Sequence, residues 1–76
     1  MTFNEYFKTD FCTYNDNGID AFIAMLESKG FERTRNDWFQ CGINFSIKYT
    51  YRTLDKYVSF DYNNNDHIQL MGYNVG

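Results

Sequence analysis

The hydrophobic period of this chain changes once, at Gly30, and that change constrains the fold more than any other feature. Before it, apolar residues recur three and four apart: Phe3, Tyr6, Phe7 and Phe11, then Ile19, Phe22, Ile23 and Leu26. This is the spacing of one helix face. After it, Phe39, Cys41, Ile43, Phe45, Ile47, Tyr49 and Tyr51 alternate with Gln40, Gly42, Asn44, Ser46, Lys48, Thr50 and Arg52. A period of two belongs to a strand with one buried and one wet face. Helical spacing followed by strand spacing specifies an α+β fold, with helices packed on one face of an antiparallel sheet.

Local signals set the expected element bounds. Thr2 and Glu5 have the form of a capping box, which predicts a short helix over 2–9. The turn-forming stretch 12–18 leads to Asn17 as the cap of a longer helix over 18–29, which Gly30 ends. A first strand over 31–35 is closed by a turn at Asn36 and Asp37, and the alternating run 39–51 reads as one long strand bent at Gly42. The chain then turns over 52–56, runs as a strand over 57–62 with Val58, Phe60 and Tyr62 inward, and turns again at Asn63–Asp66. A last strand over 67–73 turns Ile68 and Leu70 inward. The expected architecture is one short and one longer N-terminal helix on a three- to four-stranded meander, a single domain over 1–76 without repeat or linker.

A 76-residue chain buries only about 60% of the surface its unfolded form exposes, so each core residue must remove a large area from water. Eight Phe, seven Tyr and one Trp meet that need, at roughly 150–250 Å² each. Strand parity commits Phe22, Phe39, Phe45, Phe60, Tyr49, Tyr51 and Tyr62 to the core and leaves Tyr57 and Tyr73 over. Those two fall on the outward parity beside Lys48, Arg52 and Asp61, a mixture of Tyr, Arg and both charges that suits a partner-binding face. The plainer reading of the same residues is a solvated sheet face paired across strands.

Seven Lys and Arg against ten Asp and Glu give a net charge of −3, which argues against a protein held to nucleic acid by phosphate neutralisation. Three excess negatives are also too few for a whole-surface mimic of DNA. Lys48, Arg52, Lys56 and Tyr57 do interleave cations with an aromatic as single-strand binders do, but Tyr49 and Tyr51 have core parity. No basic start precedes an apolar stretch, and the longest apolar run is Ala21–Leu26. A cytoplasmic protein with reduced thiols, and no membrane contact, is expected.

Two Cys and one His invite a structural zinc site of Cys12, Cys41, His67 and Asp10, with Asp66 as the other choice of carboxylate. Such an ion would staple a small domain. Against it, neither Cys lies in a C-x-x-C knuckle, and parity turns Cys41 inward but His67 outward. Cys12 and Cys41 as buried small hydrophobes with His67 on the surface is the alternative. Catalysis is not expected: a Cys–His pair lacks an orienting partner, and five scattered Gly form no phosphate-binding loop.

In length, mild acidity, richness in Asn, Tyr and Phe, the start at Met1 and a compact α+β plan, the chain resembles the small phage and prophage proteins that oppose host defence, type II anti-CRISPR proteins in particular. The resemblance covers the whole chain coarsely and carries no motif. It implies a stoichiometric inhibitor that occupies a nucleic-acid-handling surface of a large CRISPR-type nuclease in the host cytoplasm. Asp10, Asp16, Asp20 and Glu27 on the helical side, or Asp61 and Asp66 on the sheet side, would meet the partner's Lys and Arg. Two alternatives stand beside it: a structural or regulatory module that self-associates through its sheet, and a single-stranded nucleic-acid-binding domain.

Overall fold

The computed structural model describes residues 1–11, 18–64 and 67–76, and of Cys41 the backbone alone. Two N-terminal helices, α1 (Phe3–Phe7) and α2 (Gly18–Ser28), precede four strands: β1 (Glu32–Cys41), β2 (Asn44–Thr53), β3 (Lys56–Asn63) and β4 (Ile68–Asn74). The strands form one antiparallel sheet in the order β1-β2-β3-β4, so the α+β meander expected from the change of period is present with four strands.

Each helix has the ends its sequence specifies. In α1 the Thr2 hydroxyl accepts from Glu5 N at 3.2 Å and Thr2 N donates to Glu5 Oε1 at 3.0 Å, the reciprocal capping box. The Thr2 backbone N–H first, and the Thr2 side chain after it, hold the Glu5 carboxyl below its ordinary 4.5. At the end of α2, Gly30 N donates to Glu27 O at 2.9 Å and Phe31 N to Leu26 O at 3.2 Å, a Schellman closure that needs the left-handed φ of 86° at Gly30. The expected Asn17 cap lies outside the described residues.

Helix and sheet meet in an aromatic core. Phe22 and Leu26 of α2 and Phe3 and Phe7 of α1 are buried with Tyr51, Val58, Phe60 and Ile68 of the sheet. Phe22 sits edge-on to Phe60 with centroids 4.7 Å apart, and Phe60 in turn stacks on Tyr49 at 5.2 Å. Burial also pushes the Tyr51 hydroxyl up from its ordinary 10.0.

The first hairpin differs from the expectation. Asn36 and Asp37 are not a turn but the middle of β1, and the run 39–51 is not one bent strand: Gly42 and Ile43 are a two-residue turn that folds it in two. Gly42 has φ 64° and Ile43 a negative φ, the arrangement of a type II′ turn, whose twist matches that of the flanking strands. Across such a turn parity inverts. Phe39 pairs with Ser46 and Trp38 with Ile47, so Phe39 leaves the core face and Trp38 joins it. A second inversion occurs in β4, where a register shift opposite Ser59 and Phe60 pairs Tyr73 with Val58. Tyr73 therefore faces the helices, its ring 5.9 Å from that of Phe3, and not the outer surface.

Candidate protein-binding surfaces

The helices cover only part of their face of the sheet. Beyond the buried cluster, Trp38, Phe45 and Ile47 continue the same face toward the Gly42–Ile43 turn, where Phe45 and Ile47 are half-buried and Trp38 is 58% exposed. Phe39 on the opposite face is 61% exposed and Ile43 at the turn 91%. One end of the molecule thus presents Trp, Phe and Ile side chains to solvent.

That end is held in place. Asn64, in the turn after β3, reaches across it: Phe45 N donates to Asn64 Oδ1 at 3.4 Å and Asn64 Nδ2 donates to Ile43 O at 3.3 Å. Gln40 Nε2 also donates to Gly42 O at 3.2 Å. A depression of about 340 Å³ lies here between Phe39, Phe45, Ser46 and Asn63. An aromatic surface that is already ordered loses little conformational entropy when a partner covers it.

The outer face carries charge. Four of the residues expected there, Lys48, Arg52, Tyr57 and Asp61, do share it, because the register pairs Lys48 with Asp61 and Arg52 with Tyr57. The Arg52 guanidinium lies 5.3 Å from the Tyr57 ring centroid. Tyr73, the fifth, is on the other side because of the register shift in β4. Arg35 and Asp37 are additions that the sequence reading missed, having placed the one at a strand end and the other in a turn. The Arg35 guanidinium bonds Asp37 Oδ2 at 3.0 Å, and both line a depression of about 520 Å³ with Lys48, Thr50, Arg52 and Tyr57. The opposed charges roughly cancel across this face. Asp61 Oδ1 is buried and accepts no hydrogen bond from the described residues.

Of the expected zinc ligands, Cys12 lies outside the described residues, as do the Cys41 side chain and the alternative carboxylate Asp66. Asp10 is exposed after α1 and His67 is half-buried at the head of β4, its N donating to Asn63 Oδ1 at 3.2 Å. Among the described residues no group of three or more His, Cys, Asp or Glu comes together to hold a metal ion. Among them, too, no helix is long and apolar enough to cross a membrane.

The turn at Gly42 was legible in principle. An alternation running from residue 39 to residue 51 is long for a single strand, and Gly within it is where a hairpin turn with left-handed φ would fall. No family model, curated protein or solved structure matches this chain.

Proposed function

We propose that the chain is a non-catalytic, stoichiometric protein-binding inhibitor that docks through the open end of its sheet. The observation that carries this reading is that Trp38 on the helix side of the first hairpin, Phe39 on its outer side and Ile43 at its tip are left in solvent while most of the aromatic complement packs into the core. Exposed, rigid Trp and Phe side chains are the usual anchors of an interface, because each buries a large area and orders few torsions. On the outer face Lys48 and Asp61 near them supply register, and Arg52 and Tyr57 farther along the sheet extend the contact.

The whole-chain resemblance to type II anti-CRISPR proteins gives the reading its partner: a large host nuclease, met in the cytoplasm at the surface that loads guide or target. Asp61 brings a carboxylate to the outer face, which suits the Lys and Arg such a surface carries. The test is a cleavage assay with a type II CRISPR nuclease and the full chain. Cleavage should fall in proportion to added chain up to equimolar, and the double variant Trp38→Ala, Phe39→Ala should leave it intact. Full cleavage with no complex on gel filtration overturns the nuclease partner; equal inhibition by the double variant overturns the docking surface.

A zinc staple through Cys12, Cys41, His67 and Asp10 belongs to the same proposal and is tested separately. Protein purified without added metal should carry about one zinc per chain, and a chelator should lower its melting temperature. Unchanged metal content in Cys12→Ser and His67→Ala ends that part of the reading.

A further inference from the structure

The outer edge of β1 is an open edge of the sheet. No strand of the described residues lies beyond it, it is ten residues long, and its register irregularity is confined to the segment between Arg33 and Arg35, leaving Arg35–Cys41 regular. It carries neither Pro nor Lys; its charges are Glu32, Arg33, Arg35 and Asp37, of both signs. The opposite edge, β4, is seven residues long and is interrupted by its own register shift.

The unpaired groups on β1 can be assigned by counting from the turn. A two-residue turn closes on a hydrogen-bonded pair, here Cys41 with Asn44, and ladder bonds then alternate along the strand. Asn36, Trp38 and Gln40 therefore direct their N–H and C=O away from β2, to the free edge. A second strand is added where these groups meet outward-directed groups of the partner; about Asn36 the regular stretch shared by both copies is Arg35–Asp37.

We infer that the occupant is the β1 of a second copy of this chain, antiparallel about a two-fold axis at Asn36. In that register Asn36 bonds its own counterpart, and Arg35 lies opposite Asp37 of the second copy, with Asp37 opposite its Arg35. Both contacts fall at non-hydrogen-bonded positions, where facing side chains approach most closely. The intrachain pair of Arg35 and Asp37 meets its copy head to tail, and the charges alternate in a ring. Sliding the pairing by two residues either way brings Arg35 against Arg35 or Asp37 against Asp37. Like charges directly opposite are unfavourable, so the order Arg-Asn-Asp favours the Asn36 register over both of these neighbours, and the pairing is a symmetric dimer. The pairing joins two four-stranded sheets into one continuous sheet. It is independent of the nuclease reading and uses different atoms: backbone groups and the charges of β1, not the Trp38 and Phe39 rings.

Sedimentation velocity across the micromolar range tests this. The wild-type chain should reach twice its 9.1 kDa, with association weakened at least about tenfold when Arg35→Asp or Asp37→Arg makes the facing charges alike. Mixing the two single variants should restore a dimer, because one chain then carries a carboxylate at both positions and the other a guanidinium at both, so that every facing pair is again opposite in sign. Thermal melts of the single variants matching wild type establish that each still folds. A wild-type chain that stays monomeric, a dimer indifferent to both reversals, or variants that fail to pair on mixing overturns the inference.

Discussion

The two halves of the sheet's inner face are built from the same kinds of residue and end in opposite states. Toward β3 and β4, Tyr51, Val58, Phe60 and Ile68 are buried under α1 and α2. Toward the Gly42–Ile43 turn, Trp38, Phe45 and Ile47 have no described helix over them. The reason is length: α1 has five residues and α2 eleven, about 16 Å at 1.5 Å per residue, against a molecule 38 Å long. Apolar character alone thus does not make a residue part of the core. Cover does, and what remains uncovered is available to another molecule.

Substitutions on the two sides should separate stability from binding. The largest effect belongs to Phe60→Ala: a buried ring between Phe22, Tyr49 and Tyr51 is lost, at about 3–5 kcal/mol, enough to unfold most molecules of a small domain. Circular dichroism should show loss of the cooperative melt. Trp38→Ala should leave the melt within about 0.5 kcal/mol of wild type and yet weaken partner binding by about 2 kcal/mol or more in calorimetry. A Trp38→Ala protein that melts like Phe60→Ala would erase the distinction between the halves.

Smaller effects sharpen the contrast at the turns. Gly42 and Leu54 both begin two-residue turns with positive φ, 64° and 37°, but only one is glycine. A Cβ at Gly42 would meet no atom within 4 Å, so the cost of Gly42→Ala, about 1–2 kcal/mol, would come from backbone strain alone. Leu54→Gly should stabilise by about 0.5 kcal/mol, strain relief outweighing the greater entropy of glycine, and it removes a fully exposed Leu. Denaturant melts of the two variants should shift in opposite directions.

The smallest effect lies in α1. Glu5 titrates below its ordinary 4.5 in the folded chain, so its contribution to stability is complete above pH 4.5 and is lost as pH falls through the lower, folded value. Melting temperature against pH should show this loss in wild type and a flatter acid limb in Glu5→Gln. Equal acid limbs would mean that the capping box does not hold the helix.

Much of the fold was legible in the sequence, since local chemistry alone decides it. The capping box at Thr2 and Glu5, the helical face of Ile19, Phe22, Ile23 and Leu26, the stop at Gly30 and the meander that follows all arise from neighbours in the chain. The outer cluster of Lys48, Arg52, Tyr57 and Asp61 was legible too, because no parity change intervenes between β2 and β3 as read. Phe39 and Tyr73 were not. Each is separated from the strands that were read well by an event that inverts parity, the turn at Gly42 for one and the register shift in β4 for the other.

What the sequence determined by itself is which residues are apolar and with what local period. Which of them lie inside was settled by pairing: a strand's two faces are equivalent until a partner strand and a covering helix are fixed, and a single residue of register exchanges them. Trp38 and Phe39 are neighbours in one strand, and only the tertiary structure put one on the face the helices cover in part and the other on the face they do not reach.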